Sequence, residues 1–264
     1  DLTDDTFLAL NGVETDTVWA PSHGFEGVTA TNHVCWVALT PDISEETVWK
    51  CFPNVDPTQE PDGFCKTDRS FTQENVSRLM KLGRDTGFFV TYNHPLWSRE
   101  HDEEYLHYDG MHAMEIVNNS GDAWDEANPD VYDKMLRAGK KIYCVSTDDS
   151  HSHDLGGFVM ICAPKLEYPA VTDALLKGNF YAMHDKKAPL LKSLTWEDGV
   201  VTAEAVGARN LRWITDRGSD IVYPRESQKV WSFRLPADAK YFRLELQSVN
   251  DSTTYTNAYF PEDF

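Results

Sequence analysis

Apolar residues in the first two thirds of the chain come in short unbroken runs, separated by stretches with helical spacing. Residues 7–13 form one such run, ending at Glu14, and residues 33–39 form a second. Over residues 72–86, Val76, Leu79, Met80 and Gly83 recur at three- and four-residue spacing, which predicts a helix with one apolar face. Gly87 stands where such a helix stops. Residues 88–92, 113–117, 142–145 and 158–161 read as strands, and 129–138 and 169–177 as helices closed by Gly139 and Gly178. Residues 41–69 are rich in Pro, Asp and Gly and read as a long excursion. Strands alternating with helices predict parallel β/α units.

The rhythm changes near Ala188. Beyond Leu190 no helical period appears. Trp231, Phe233 and Leu235 share one face of an alternating run, and Phe242, Leu244 and Leu246 share one face of another, with Arg243, Glu245 and Gln247 opposite. Such alternation predicts antiparallel strands with one wet face. The expected organisation is an α/β domain over residues 1–187 and a small all-β, sandwich-like domain over 188–264.

Composition narrows the function classes. The 264 residues carry 24 Lys+Arg against 43 Asp+Glu, a formal net charge of −19. A nucleic-acid or anionic-membrane binder needs a basic footprint, so neither partner is expected. No apolar run is long enough to span a bilayer. Five cysteines without a C-x-x-C pair argue against a disulfide scaffold or a zinc ribbon and point to a cytoplasmic protein. Export would leave Cys51 and Cys65, which flank the Pro-rich excursion, to pair. Cys35, Cys144 and Cys162 sit in apolar runs, where buried free thiols are common.

The chemistry-bearing residues gather at the C-terminal ends of the expected strands. Residues 7–13 deliver Glu14, residues 88–92 deliver Asn93-His94-Pro95, and residues 142–145 deliver Thr147-Asp148-Asp149-Ser150-His151. In a β/α barrel that edge builds the active site. Imidazoles with carboxylates suit Zn, Mn or Fe(II). Each residue also has a plain structural role open to it: Glu14 as surface, His-Pro as a turn, Asp-Asp-Ser-His as a helix cap. Their common placement is what points to a site. Arg99 and His184 are candidate substrate contacts, and Trp97 either walls a pocket or packs. His101, His107 and His112 occupy polar, loop-like or strand-edge surroundings and read mostly as solvated, with a cleft just after the His94 loop as the alternative place for His101 and His107.

Gly12-Val13-Glu14, His33, His94-Pro95 and Asp149-Ser150-His151, in this order and spacing, resemble the polymerase and histidinol phosphatase (PHP) family of metal-dependent phosphoesterases. Glu115-Ile116-Val117-Asn118 and the segments 174–182 and 255–259 are similar to stretches of a stand-alone subgroup with a C-terminal β-domain. The resemblance implies a distorted (β/α)7 barrel holding up to three divalent metals (Zn, Mn or Fe). It implies hydrolysis of a small-molecule phosphoester, with metal-held hydroxide as the nucleophile. Glu14 then corresponds to a bridging carboxylate, with His33 and His94 as its partners on one metal. Asp149 and His151 correspond to ligands of the others.

The family opens on a His-x-His strand, and residues 1–13 contain no His. Two readings follow: the first barrel strands precede Asp1, or the chain is a degenerate member. In the second case the function is that of a binding or regulatory module, with Trp196, Trp213, Tyr223 and Trp231 of the β-domain facing a glycan or protein partner.

Overall fold

The computed structural model describes residues 3–18, 31–43, 70–120, 126–150, 156–222 and 229–263. The chain divides into two compact units: Asp1–Met114 with Ile161–Asn179, and Glu115–Met160 with Phe180–Phe264.

The first unit is built on strands β1 (Gly12–Val18), β2 (Thr31–Ala38) and β3 (Phe88–Tyr92), each antiparallel to the next. Along β2 every second residue is buried: Asn32, Val34, Trp36 and Ala38 point into the core, and Thr31, His33, Cys35 and Val37 to the half-exposed face. Helix α1 (Gln73–Asp85) lays Val76, Leu79, Met80 and Gly83 inward, as its spacing predicts. The Thr72 hydroxyl caps it by accepting from the Asn75 N–H. A side chain at Gly83 would come within 2.8 Å of the Trp36 indole and of Val90, so glycine sets how closely the helix approaches the sheet. Helix α2 (Asp102–Tyr105) is a single turn, and His112, at the edge of β3, accepts from the Val90 N–H through Nδ1. Burial lowers the His112 pKa to about 4, so it is a neutral, packed imidazole and not a solvated one.

β3 pairs in parallel with the first residues of β4 (Ala113–Asn118), through Thr91–Ala113 and Tyr92–Met114. The chain passes into the second unit within β4. There β4 pairs antiparallel with β5 (Glu126–Ala127) and also pairs with β6 (Tyr143–Thr147); α3 (Pro129–Arg137) lies between them in sequence. The chain continues through β7 (Phe158–Ile161), α4 (Tyr168–Leu176), β8 (Phe180–Met183), β9 (Leu190–Glu197), β10 (Val200–Val206), β11 (Asn210–Thr215), β12 (Gly218–Val222), β13 (Val230–Arg234), β14 (Phe242–Gln247) and β15 (Thr253–Thr256). One sheet runs β13-β10-β9 and another β12-β11-β14-β15-β8-β7. Val201, Ala203, Trp231 and Phe233 from the first pack with Leu211, Phe242, Leu244 and Leu246 from the second in one core.

A (β/α)7 barrel is therefore not seen. The described residues hold three mostly antiparallel sheets and four α-helices. The expectation failed because residue type hides the period of β2. Cys35 and Val37 are apolar yet lie on the wetter face, so an alternating strand reads as an unbroken run. The β3–β4 parallel contact is the informative exception: both strands are buried at every position, as parallel strands usually are. Phe7 is 54% exposed and lies outside any strand, so the first apolar run is not a buried strand. Cys162 is exposed, and Cys35 only half-buried, so of these three thiols Cys144 alone is a buried one; burial pushes it up to about 12. Cys51 and Cys65 lie outside the described residues.

In the second unit Arg243 is 1% exposed, not on a wet face. Its guanidinium grips Asp133 of α3 with two hydrogen bonds, 2.7 and 2.8 Å, and donates a third to Glu245 at 2.9 Å. Planar two-point pairing of this kind satisfies a buried guanidinium's donors while fixing its orientation. Replacing Asp133 by Ala leaves that cation with Glu245 alone, and urea titration of the variant is expected to show a loss of about 3 kcal/mol. A variant within experimental error of the wild type would show that Glu245 suffices.

Candidate metal centre

Glu14 is the third residue of β1, not a residue beyond a strand end. The antiparallel register places Glu14 opposite Cys35 and Asp16 opposite His33. Glu14 and His33 are thus diagonal neighbours on one face, within reach of long side chains. His94 arrives from the other side of β2. Asn93 continues the β3 pairing by donating its N–H to the His33 carbonyl at 3.1 Å, and its side chain donates to Cys35 Sγ. The chain then turns sharply, with His94 at φ +25°.

The result is a tight cluster. His33 Nδ1 lies 2.8 Å and His94 Nε2 3.8 Å from the same oxygen, Glu14 Oε1. One ligand atom from each residue lies within 4.8 Å of the other two. The imidazoles meet edge to face, 4.8 Å between centroids, and the Trp97 indole packs against both at 5.3 and 4.9 Å. His94 is 3% exposed, whereas the Glu14 side chain is 44% exposed, so the cluster opens on the carboxylate side. A hydrogen bond from His33 and then the nearby His94 imidazole hold the Glu14 carboxyl down to about 2, against partial burial, which raises it.

The donor set fits a divalent cation. Two imidazoles and a carboxylate are the ligand types of Zn, Mn and Fe(II) sites, and three protein ligands leave a position for substrate or water. Bonds of about 2.1 Å in tetrahedral geometry separate ligand atoms by about 3.4 Å. That spacing lies between the 2.8 and 3.8 Å found here.

The other candidates from the sequence are placed as follows. Asp149, at φ +39°, accepts from Asn118 Nδ2 at 3.0 Å in the second unit. The same amide donates to Glu115 at 3.3 Å, and Thr147 also donates to Glu115, which is fully buried. His151 lies outside the described residues. Arg99 is exposed on the turn that carries His94, at φ +57°. His184 is held through its backbone, donating its N–H to Thr253 and accepting from Asn119. Of the five non-glycine residues at positive φ among the described residues, three are His94, Arg99 and Asp149. Strained backbone of this kind concentrates at functional sites. Glu115 entered the sequence reading only within the Glu115-Ile116-Val117-Asn118 stretch and without a role; Glu100 was not singled out, because a lone Glu carries no signal there and only burial distinguishes it.

Of the aromatic residues proposed as a glycan platform, the three among the described residues belong to the core or pack against it. Trp231 is buried, Trp213 stacks on Phe233, and Trp196 packs edge-on against Phe242. Tyr223 lies outside the described residues.

No protein-family model, no curated protein and no solved structure matches the chain.

The depressed Glu14 carboxyl has a thermodynamic consequence. Its folded value, about 2, lies below its ordinary value near 4.5. Glu14 therefore adds stability above pH 4.5, and that contribution is lost as pH falls towards 2. Glu14→Gln is expected to flatten the acid limb of the urea midpoint measured against pH. An unchanged limb would mean that the carboxylate gains nothing from its imidazole partners.

Proposed function

We propose that this chain is a metal-dependent hydrolase acting on a small-molecule phosphoester, with Glu14, His33 and His94 holding a Zn, Mn or Fe ion. The observation that carries the reading is the convergence of two imidazoles on one carboxylate oxygen, at an end of the sheet where the carboxylate side is open. The resemblance of Gly12-Val13-Glu14, His33 and His94-Pro95 to PHP-family motifs supports the choice of hydrolysis; the fold does not enter the reasoning. A divalent cation there supplies Lewis acidity, polarising a phosphoryl oxygen and acidifying a water.

The chain's own residues have separable roles. Glu14 supplies the negative charge, already ionised at neutral pH. His94, buried and braced by Trp97, supplies a fixed donor at the closed side. His33, in the middle of the β1–β2 register, sets the third donor. Arg99, exposed on the same turn as His94, is the residue offered to a phosphate oxygen, a pairing suited to a guanidinium.

Purified protein reconstituted with Mn or Zn is expected to retain metal through gel filtration, measured by plasma mass spectrometry, and to hydrolyse an aryl phosphate. His94→Ala is expected to lose the metal and to lower kcat/KM more than about 100-fold, beyond the range typical of residues that only support a ligand. Metal retention without turnover would leave a binding site and refute the hydrolase reading. Absence of retained metal would refute both.

A further inference from the structure

Among the described residues, a second ionisable cluster lies behind the first, on the opposite face of the same sheet. The turn that carries His94 and Trp97 runs from Asn93 to Glu100, stitched by Ser98 N–H to the His94 carbonyl, Arg99 N–H to Leu96 and Glu100 N–H to Pro95. Its first residue is fixed to β2 at His33. Its last residue, Glu100, is fixed to β2 one residue earlier. Asn32 Nδ2 donates to Glu100 Oε1 at 2.8 Å, and the Tyr92 hydroxyl of β3 donates to Oε2 at 2.7 Å. Asn32 and Tyr92 are both on the core side: Asn32 alternates with His33, and Tyr92 pairs with Val34. The turn therefore wraps the end of the sheet, with histidine in front and glutamate behind.

We infer that Glu100 is the positioning residue of the metal centre: by clasping Asn32 and Tyr92 it holds the turn closed and sets His94 and Trp97 against His33. The inference rests on the metal reading above. It also gives a role to a carboxylate that stands where burial disfavours its charge. Burial raises the Glu100 pKa to about 7, only partly offset by donation from Tyr92, Asn32 and Tyr108, and the neighbouring Glu104 of α2 raises it further. A carboxyl whose folded value exceeds its ordinary one near 4.5 lowers stability as pH rises from 4.5 through about 7. A glutamine would avoid that loss while still accepting from Asn32. Strongly perturbed ionisable groups cluster at functional sites, often at a cost in stability.

The test is Co(II) titration of the full chain, followed by visible absorption, at pH 8. Wild type is expected to bind with a ligand-field spectrum, and His94→Ala to lose it. Glu100→Ala is expected to weaken Co(II) binding about 10- to 100-fold and to alter the band positions, the range found for residues that orient a metal ligand. Glu100→Gln is expected to recover most of that affinity, because an amide can keep both contacts, and to raise the urea midpoint above pH 7. Tyr92→Phe keeps the core ring and removes one donor to the clasp, so it decides the matter should Glu100→Ala fail to fold; about a tenfold weaker binding is expected. A purely structural Glu100 would shift melting temperature and leave Co(II) affinity and spectrum unmoved in Tyr92→Phe and in folded Glu100→Ala. Wild-type binding with unchanged affinity and spectrum in Tyr92→Phe overturns the inference alone. Failure of the wild type to bind Co(II) overturns the metal reading and the inference with it.

Discussion

Everything at the candidate centre depends on the register of β2 between β1 and β3. A strand has period two, so a slip of one residue exchanges its faces. Such a slip would send His33 into the core and bring Asn32 or Val34 to the front. The register is held from behind: Val34, Trp36 and Ala38 are wholly buried, and Trp36 fills the space that Gly83 of α1 leaves open. Apolar packing on one face thereby fixes polar geometry on the other. The same strand also presents Asn32 to Glu100, so the front and back clusters share one ruler and cannot move independently.

The two units treat buried charge in contrasting ways. Arg243 has three hydrogen bonds to two carboxylates, and its charge is fully answered within the second unit. Pairing of that quality removes most of the penalty of burial and specifies how α3 meets β14. Glu100 is answered by three neutral donors, while Glu104 pushes its pKa the other way. Neutral donors stabilise a carboxylate less than a guanidinium does. The first arrangement suits a scaffold. The second suits a place where geometry matters more than stability.

Much of this was legible in the sequence, and the reasons for the rest are physical. Helix α1 was readable because Val76, Leu79, Met80 and Gly83 keep a 3.6-residue period, and α3 and α4 because Pro and Gly punctuate them. Strand β3 was readable because a strand buried on both faces is an unbroken apolar run. Direction was not readable. β2 looks like β3 in composition, and only burial reveals its alternation, so antiparallel strands passed for parallel ones. Glu14, His33 and His94 were singled out through motif spacing and lie together, but the strand-end rule misplaced Glu14, which stands within β1. Arg243 was assigned to solvent by alternation alone; its burial needs a carboxylate 110 residues away, which no local pattern contains. Glu100 was missed for the same reason, since its partners come from β2 and β3.

The net charge of −19 bears on the proposed chemistry through the same local reasoning. A chain this acidic repels a phosphoester at long range and attracts cations, although salt screens both effects beyond roughly 10 Å. At the centre itself Glu14 is ionised far below neutral pH, so the open side carries a negative charge. An anionic substrate would meet like charge there. A divalent cation reverses that sign at short range, where screening is weakest. On the proposed reading, binding of the cation and binding of an anionic phosphoester would be electrostatically coupled, because the cation would offset the Glu14 charge.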